Sequence, residues 1–258
     1  MQLRTRIGVL AATVLLAVTV IAPGASAVAP TTQVGSHLVD MEIGSEGEHV
    51  AALQASLRAL KMYRGEIDGK YGWETAVSVM ALKKWLGVDR SWEFGAWDWW
   101  HLTDLPDHGI PERPDEPDRI EVDLGRQLLF LVLDGEVAQI VHTSTGGGYT
   151  YWSERNQRYA RGTTPRGDFT LRWFRNGWQT DSTTGWTVYD YWAFTDFYGI
   201  HGYPSVPSYA ASHGCVRVNT WEADALQEHF YVGMPIHIWD VAPDIEPPPA
   251  PALPVAFS

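Results

Sequence analysis

The hydrophobic period of this chain changes once along its length. Between Met41 and Leu102 apolar residues recur every three or four positions, as in Val50, Leu53, Leu57 and Leu60 and again in Ala76, Val79, Leu82 and Leu86. From Arg119 the period is two, with Ile120, Val122 and Leu124 alternating with Glu121 and Asp123. The first spacing lines one side of a helix and the second lines one face of a strand. A chain that carries both in succession has to build a helical part and then a β part. Between them Pro106, Pro111, Pro114 and Pro117 stand among acidic residues. The expected organisation is therefore a multi-domain chain: a small all-α module at 41–104, a semi-rigid proline-rich linker at 105–118, and a mainly β domain at 119–241 with one late helix. At about 3.1 Å per residue such a linker could hold two domains a few tens of ångströms apart.

Within the helical part, Ser45 followed by Glu48 reads as a capping box that opens the first helix. The turn-rich stretch Arg64 to Gly72 closes that helix, and Trp92 to Leu102 forms a short third element. Its aromatic cluster, Trp92, Trp97, Trp99 and Trp100, suits sugar stacking, but the filling of a small core is the stronger expectation, for Trp97 and Trp100 above all. In the β part an apolar run Leu128–Leu133, an Asp134-Gly135 turn and Val137–Val141 make a hairpin. Phe169–Phe174 and Trp186–Tyr191 read as further strands. A helix follows with Asn219 as N-cap and Glu222 three residues on, ending near Gly233, before a last strand Pro235–Trp239. The proline-rich tail at 242–258 is expected to be disordered.

Arg4 and Arg6, the apolar stretch Ile7–Ala22 and the triplet Ala25-Ser26-Ala27 form a secretory signal at 1–27, expected to be cut after Ala27; an uncleaved membrane anchor is the weaker reading. Its removal takes away two arginines and no acid, so the formal charge moves from −12 to −14. That balance excludes an electrostatic partner such as nucleic acid. The membrane enters only through the export signal, and the expected location is secreted, in the cell wall or periplasmic space.

One cysteine, Cys215, stands in a chain expected to leave the reducing cytoplasm, so it cannot form an internal disulfide. Its neighbours are Ile200-His201-Gly202 and Ser212-His213-Gly214-Cys215-Val216-Arg217. A free thiol is only a few per cent ionised at neutral pH, and a nearby imidazole or guanidinium raises that fraction. Spacing alone leaves either His201 or His213 as the base. His201, His213 and Cys215 could alternatively bind zinc, but no short-spaced fourth ligand completes a structural site, so no metal and no cofactor is expected. The other histidines, His37, His49, His101, His108, His142, His229 and His237, have no partner pattern and read as surface or packing residues. Gly146-Gly147-Gly148 lacks the Lys-Ser/Thr and the helix start of a phosphate cradle. The stretch 148–161, with Tyr149, Tyr151, Trp152 and Tyr159, is either a lid or a surface insertion.

Two resemblances bear on these residues. The stretch Ile43-Gly44-Ser45-Glu46-Gly47, Val50, Leu53-Gln54, Leu57, Gly65, Asp68-Gly69, Tyr71-Gly72 and Thr75 resembles the peptidoglycan-binding module of exported wall hydrolases and transpeptidases. The segment from about Arg119 to Asp240 resembles the L,D-transpeptidase catalytic domain, also called the YkuD domain. Its landmarks are Ile120-Glu121-Val122-Asp123, Gln127-Leu128, Ser144-Thr145-Gly146, Thr164-Pro165-Arg166-Gly167-Asp168-Phe169, and the two histidine-bearing stretches around Cys215. This resemblance implies Cys215 as nucleophile and His201 as general base, oriented through the Gly202 carbonyl. It implies an acyl pocket lined by His213, Gly214 and Cys215 within the Ser212–Arg217 loop, oxyanion donors among the N–H groups around Gly214 and Cys215, and Arg217 holding the loop or a substrate carboxylate. The implied partners are peptidoglycan stem peptides and glycan. The implied reaction is a 3→3 cross-link by acyl transfer, with an L,D-carboxypeptidase or a wall-protein ligase as variants of the same chemistry and a non-catalytic wall-binding scaffold as the rival class.

Overall fold

In the computed structural model residues 39–102 and 105–240 are described; the leader and the proline-rich tail lie outside them. The chain forms α1 (Glu48–Ala59), α2 (Trp73–Leu86) and α3 (Ala96–His101). Then follow β1 (Arg119–Asp123), β2 (Leu128–Leu133), β3 (Glu136–His142), β4 (Thr150–Ser153), β5 (Arg158–Arg161), β6 (Gly167–Thr170), β7 (Trp173–Thr180), β8 (Thr187–Ala193), β9 (Gly199–Gly202), β10 (Val216–Val218), α4 (Thr220–Gln227) and β11 (Pro235–Trp239).

A first sheet runs in the order β3-β2-β1-β11-β6 and a second in the order β10-β9-β8-β7, with β4 and β5 as a separate hairpin. The β1–β11 and β9–β10 pairs are parallel and the other pairs antiparallel. Ile120, Val122, Leu129, Leu131 and Val141 of the first sheet meet Trp192, Ile200, Val216 and Val218 of the second, with Leu226 of α4 closing the same core.

The apolar run of β2 accounts for the rest of the architecture. Its odd residues, Leu129 and Leu131, enter the core between the sheets. Its even residues, Leu128 and Phe130, face the other way and join Val50, Leu53, Leu57, Ala76, Val79 and Leu82 of the two long helices, together with Ile140 of β3. A strand apolar on both faces needs cover on both faces. Here α1 and α2 supply the second cover.

This arrangement corrects the expected spacer between two independent domains. The segment 105–118 lies against the protein: Leu105 and Ile110 pack on the shared helical core, and the Asp107 carbonyl accepts from Trp85 Nε1 at 3.4 Å. Arg113 Nε donates to Glu121 Oε1 at 2.9 Å, beside Arg119 Nε at 2.8 Å and Trp239 Nε1 on the other carboxylate oxygen at 2.8 Å. The alternating Glu121 and Asp123 are consequently buried instead of facing water. Their ionised partners are what makes such burial tolerable.

Other local readings also shift. Gly47, not Ser45, is the N-cap of α1, and Ser45 Oγ instead accepts from Glu42 N at 3.0 Å. Asn219 does precede α4, but that helix stops at Gln227, and Glu222 is drawn inward to Gln139 Nε2 at 2.5 Å. Trp97 and Trp100 are 61% and 71% exposed, so the expected core role falls to Phe94 and Trp99, whose rings meet edge to face. The run Phe169–Phe174 is divided between β6 and β7, which belong to different sheets. His237 is no simple packing residue either: its ring lies between Asp168 Oδ1 at 2.6 Å and Glu116 Oε2 at 2.7 Å, tying the proline-rich segment to β11. Among the described residues no helix is long and apolar enough to cross a membrane.

Candidate active site

The parallel pair β9–β10 brings the two distant stretches together. Ile200 pairs with Val216 and His201 with Arg217. Paired residues share a face, and Ile200 and Val216 both point into the core, so His201 and Arg217 share the opposite face. Cys215 sits in the bend that leads into β10, where the Tyr191 hydroxyl meets its sulfur, and the Tyr191 ring stacks on His201 at 6.1 Å between centroids.

His201 is 3% exposed, with Nδ1 3.0 Å from the Gly202 carbonyl. A carbonyl only accepts, so Nδ1 carries the hydrogen and Nε2 keeps its lone pair. Burial pushes the imidazole pKa down to about 4, the Gly202 hydrogen bond opposing this and Arg217 adding to it. Gly202 has no room for a side chain, because a Cβ would press on the Tyr189 ring and the backbone of Thr220.

Burial pushes the Cys215 thiol above its ordinary value, while the Gly199 N–H, the Arg217 charge and the Tyr191 hydroxyl pull it down. The Tyr191 hydroxyl is in turn pushed up, first by burial and then by the neighbouring sulfur. Burial thus disfavours the charged form of both groups, thiolate and imidazolium alike.

The loop before Cys215 is held by hydrogen bonds from side chains on both sides. Ser212 Oγ donates to the Cys215 carbonyl at 2.6 Å and accepts from Gly214 N at 2.9 Å. Thr164 Oγ1 donates to the Gly214 carbonyl at 2.9 Å and accepts from Gly146 N at 2.8 Å. Gly214 has φ 136° and a Cβ there would overlap the Tyr198 ring, so only glycine fits. The Gly214 N–H is thus committed to Ser212, which removes one of the expected oxyanion donors.

His213 sits elsewhere. Its ring stacks on Trp186 at 4.2 Å between centroids and meets Tyr151 and Tyr149 edge-on at 4.3 and 5.3 Å. These aromatics come from the 148–161 stretch, which folds as the β4–β5 hairpin, and from the turn before β8. Burial and Arg217 lower the His213 pKa. Arg217 lies over the Tyr203 ring at 4.6 Å and reaches the Ala211 carbonyl at 3.5 Å, while its buried Nε has no partner among the described residues. Among the described residues no cluster of His, Cys, Asp and Glu is arranged to hold a metal ion.

Residues 117–238 match the family model of the L,D-transpeptidase catalytic domain. The crystal structure of the L,D-transpeptidase from Xylanimonas cellulosilytica shares 33% identity, covering 79% of this chain and 99% of that one at a TM-score of 0.70. The chain belongs to the L,D-transpeptidase family. The coverage of the Xylanimonas structure is too large to come from residues 117–238 alone, so the likeness to this family member extends into the helical part. An L,D-transpeptidase from Stackebrandtia nassauensis is similar at 18% identity and a TM-score of 0.47, covering 81% of this chain and 100% of that one. No match was found among curated proteins.

Tyr191 was missed by reading the sequence of this L,D-transpeptidase. Its only signal was its place in the aromatic run Trp186–Tyr191, and the irregular β8–β9 register, with Asp190 at φ 46°, hides the alternation that would have placed it beside Cys215. Lys84 and Arg90, which reach the Thr143 and Ser208 carbonyls from the helical part, carried no signal at all.

Proposed function

We propose that this chain forms 3→3 peptidoglycan cross-links through a Cys215 thioester. In this reading the stem peptide enters over the face shared by His201 and Arg217, beside Cys215. The sulfur attacks the carbonyl at the L-centre of a diaminopimelate residue, His201 Nε2 takes the thiol proton, and the imidazolium returns it to the departing D-alanine amine. An amine of a neighbouring stem then attacks the thioester, His201 accepts its proton, and the thiol is restored. With Gly214 N–H committed, oxyanion donation falls to the Cys215 N–H and the Tyr191 hydroxyl, each donor being worth about a hundredfold in rate. In this reading the Arg217 guanidinium, over the Tyr203 ring, attracts a substrate carboxylate.

The observation that carries this assignment is the fixed tautomer of His201. Nδ1 is held by the Gly202 carbonyl, and the free nitrogen belongs to a ring stacked on Tyr191, whose hydroxyl meets the Cys215 sulfur. His213, enclosed by aromatic rings, suits the wall of the acyl pocket instead.

The test is product mass spectrometry with a tetrapeptide donor, with and without an acceptor stem. A cross-linked dimer supports the proposal. Cleaved tripeptide alone in both reactions makes the enzyme an L,D-carboxypeptidase, and no product in either makes the domain a scaffold. Export after cleavage at Ala27 and wall retention by the helical part belong to the same proposal, supported by the Ala25-Ser26-Ala27 triplet and the pattern around Asp68-Gly69. N-terminal sequencing of the secreted protein and a wall-sedimentation assay test them.

A further inference from the structure

Lys84 is a buried lysine with no carboxylate partner among the described residues. It is 1% exposed on α2, and its Nζ lies 2.7 Å from the Thr143 carbonyl, 3.1 Å from the Gln127 carbonyl and 2.7 Å from His142 Nδ1. His142 is fully buried, and its Nε2 is 3.0 Å from the Val206 carbonyl. That carbonyl can only accept, so Nε2 carries the hydrogen and Nδ1 presents a lone pair to the lysine. Lys84 therefore has three acceptors around it, one for each proton of an ammonium group.

Each of these acceptors leads to the catalytic loop. From His142 the path runs to Val206, in the loop that joins Gly202 to Ser212. From Gln127 and Thr143 it runs to Thr145, whose N–H donates to Gln127 Oε1 at 2.8 Å and whose hydroxyl accepts from Gln127 Nε2 at 2.7 Å. The Thr145 carbonyl accepts from Ser212 N at 2.8 Å, and Ser212 Oγ holds both Gly214 and Cys215. A second basic side chain of the helical part works beside Lys84: Arg90 donates to the Ser208 carbonyl at 3.0 Å and to the Gly125 carbonyl at 3.2 Å. Two basic side chains of the helical part thus hold the loop ahead of Cys215 and the turn between β1 and β2.

We infer that Lys84 is a positioning residue for Cys215, with Arg90 in a supporting role, so that the helical part is the back wall of the active site. A wall-anchoring module needs no such contacts. A nucleophile that must meet an acyl carbonyl within a few tenths of an ångström does, because small misplacement of reacting groups costs up to about a hundredfold in rate. The inference rests on Cys215 as the nucleophile proposed above.

The test compares wild type, Lys84→Met, Arg90→Ala and a control, Gln54→Ala, which removes a buried hydrogen-bonding residue of the helical part with no link to the loop. Each is assayed for kcat and KM on a soluble stem tetrapeptide and for its rate of acylation by a carbapenem, at a temperature where melting curves show it folded. The expected result is a fall of about tenfold or more in kcat and in acylation rate for Lys84→Met, with KM within about threefold, a smaller fall in the same direction for Arg90→Ala, and an unchanged kcat for the control. Unchanged kcat in Lys84→Met, or an equal fall in the control, overturns the inference. Should Lys84→Met not fold, an unchanged kcat in Arg90→Ala overturns it and a lowered one upholds it. If Cys215 is not the nucleophile, wild type itself takes no acyl group on that residue, which separates failure of the underlying reading from failure of this one.

Discussion

Gln54 in the helical part and Arg217 beside Cys215 are both polar groups set among apolar neighbours, and their hydrogen bonding differs. The Gln54 amide nitrogen has Asp68, Tyr63, Thr75 and the Lys70 carbonyl within 2.9–3.2 Å, and its oxygen accepts from Gly69 N at 2.9 Å. Among the described residues Arg217 keeps a buried Nε without a hydrogen-bond partner, and so do Thr143 Oγ1, Asp190 Oδ2, Trp192 Nε1 and Asn219 Nδ2 of the β part and His108 Nδ1 of the proline-rich segment. Buried polar groups are normally satisfied, because an open one costs about 1–3 kcal/mol. The helical part satisfies its buried glutamine in full, and the β part leaves several buried polar groups open.

The sharpest way to break this contrast is to remove the helical part. Deleting 39–104 uncovers Leu128, Phe130 and Ile140 and removes Lys84 and Arg90, so the product should be insoluble or lack cooperative unfolding by calorimetry, with no turnover of soluble stem peptide. A soluble, active fragment would restore the picture of a detachable anchor. Next, Gln54→Ala should lower stability by about 2–4 kcal/mol in urea denaturation while leaving kcat within about twofold. Arg217→Ala should do the reverse, lowering kcat/KM by about ten- to a hundredfold with little change in melting temperature, since it removes an unpaired donor.

The smallest effect concerns pH. Burial raises the Glu222 pKa to about 8, so the folded state holds a proton that the unfolded chain, with a value near 4.5, releases. Between those values the native state binds more protons, and stability falls as pH rises. Glu222→Gln removes that loss. Its advantage over wild type should be absent below pH 4.5 and grow to about 1 kcal/mol or more by pH 8, read from denaturation curves at several pH values.

Much of this was legible in the sequence, and the losses have identifiable causes. The change of period located both parts, and the Leu128–Leu133 run with Asp134-Gly135 located the central hairpin. The same run held the information that both faces of the sheet are covered, yet the prolines of 105–118 suggested a spacer; proline stiffens a chain whether or not the chain is docked. Ser45 failed as a cap because the Gly47 backbone, at φ 124°, opens the helix itself. The motif around Cys215 was visible because its glycines and histidines are local. Tyr191, Lys84 and Arg90 were invisible because they reach the site through tertiary contacts that no short pattern records.

The central claim is that Cys215 becomes acylated with His201 as the proton acceptor, and intact-mass spectrometry during reaction with a carbapenem tests it most directly. Wild type should gain one adduct, mapped to Cys215 by peptide digestion, and Cys215→Ala should gain none while keeping its melting temperature. His201→Ala should acylate at least about a hundredfold more slowly, and His213→Ala far less so. An adduct on Cys215→Ala, or a larger loss in His213→Ala than in His201→Ala, would contradict the account.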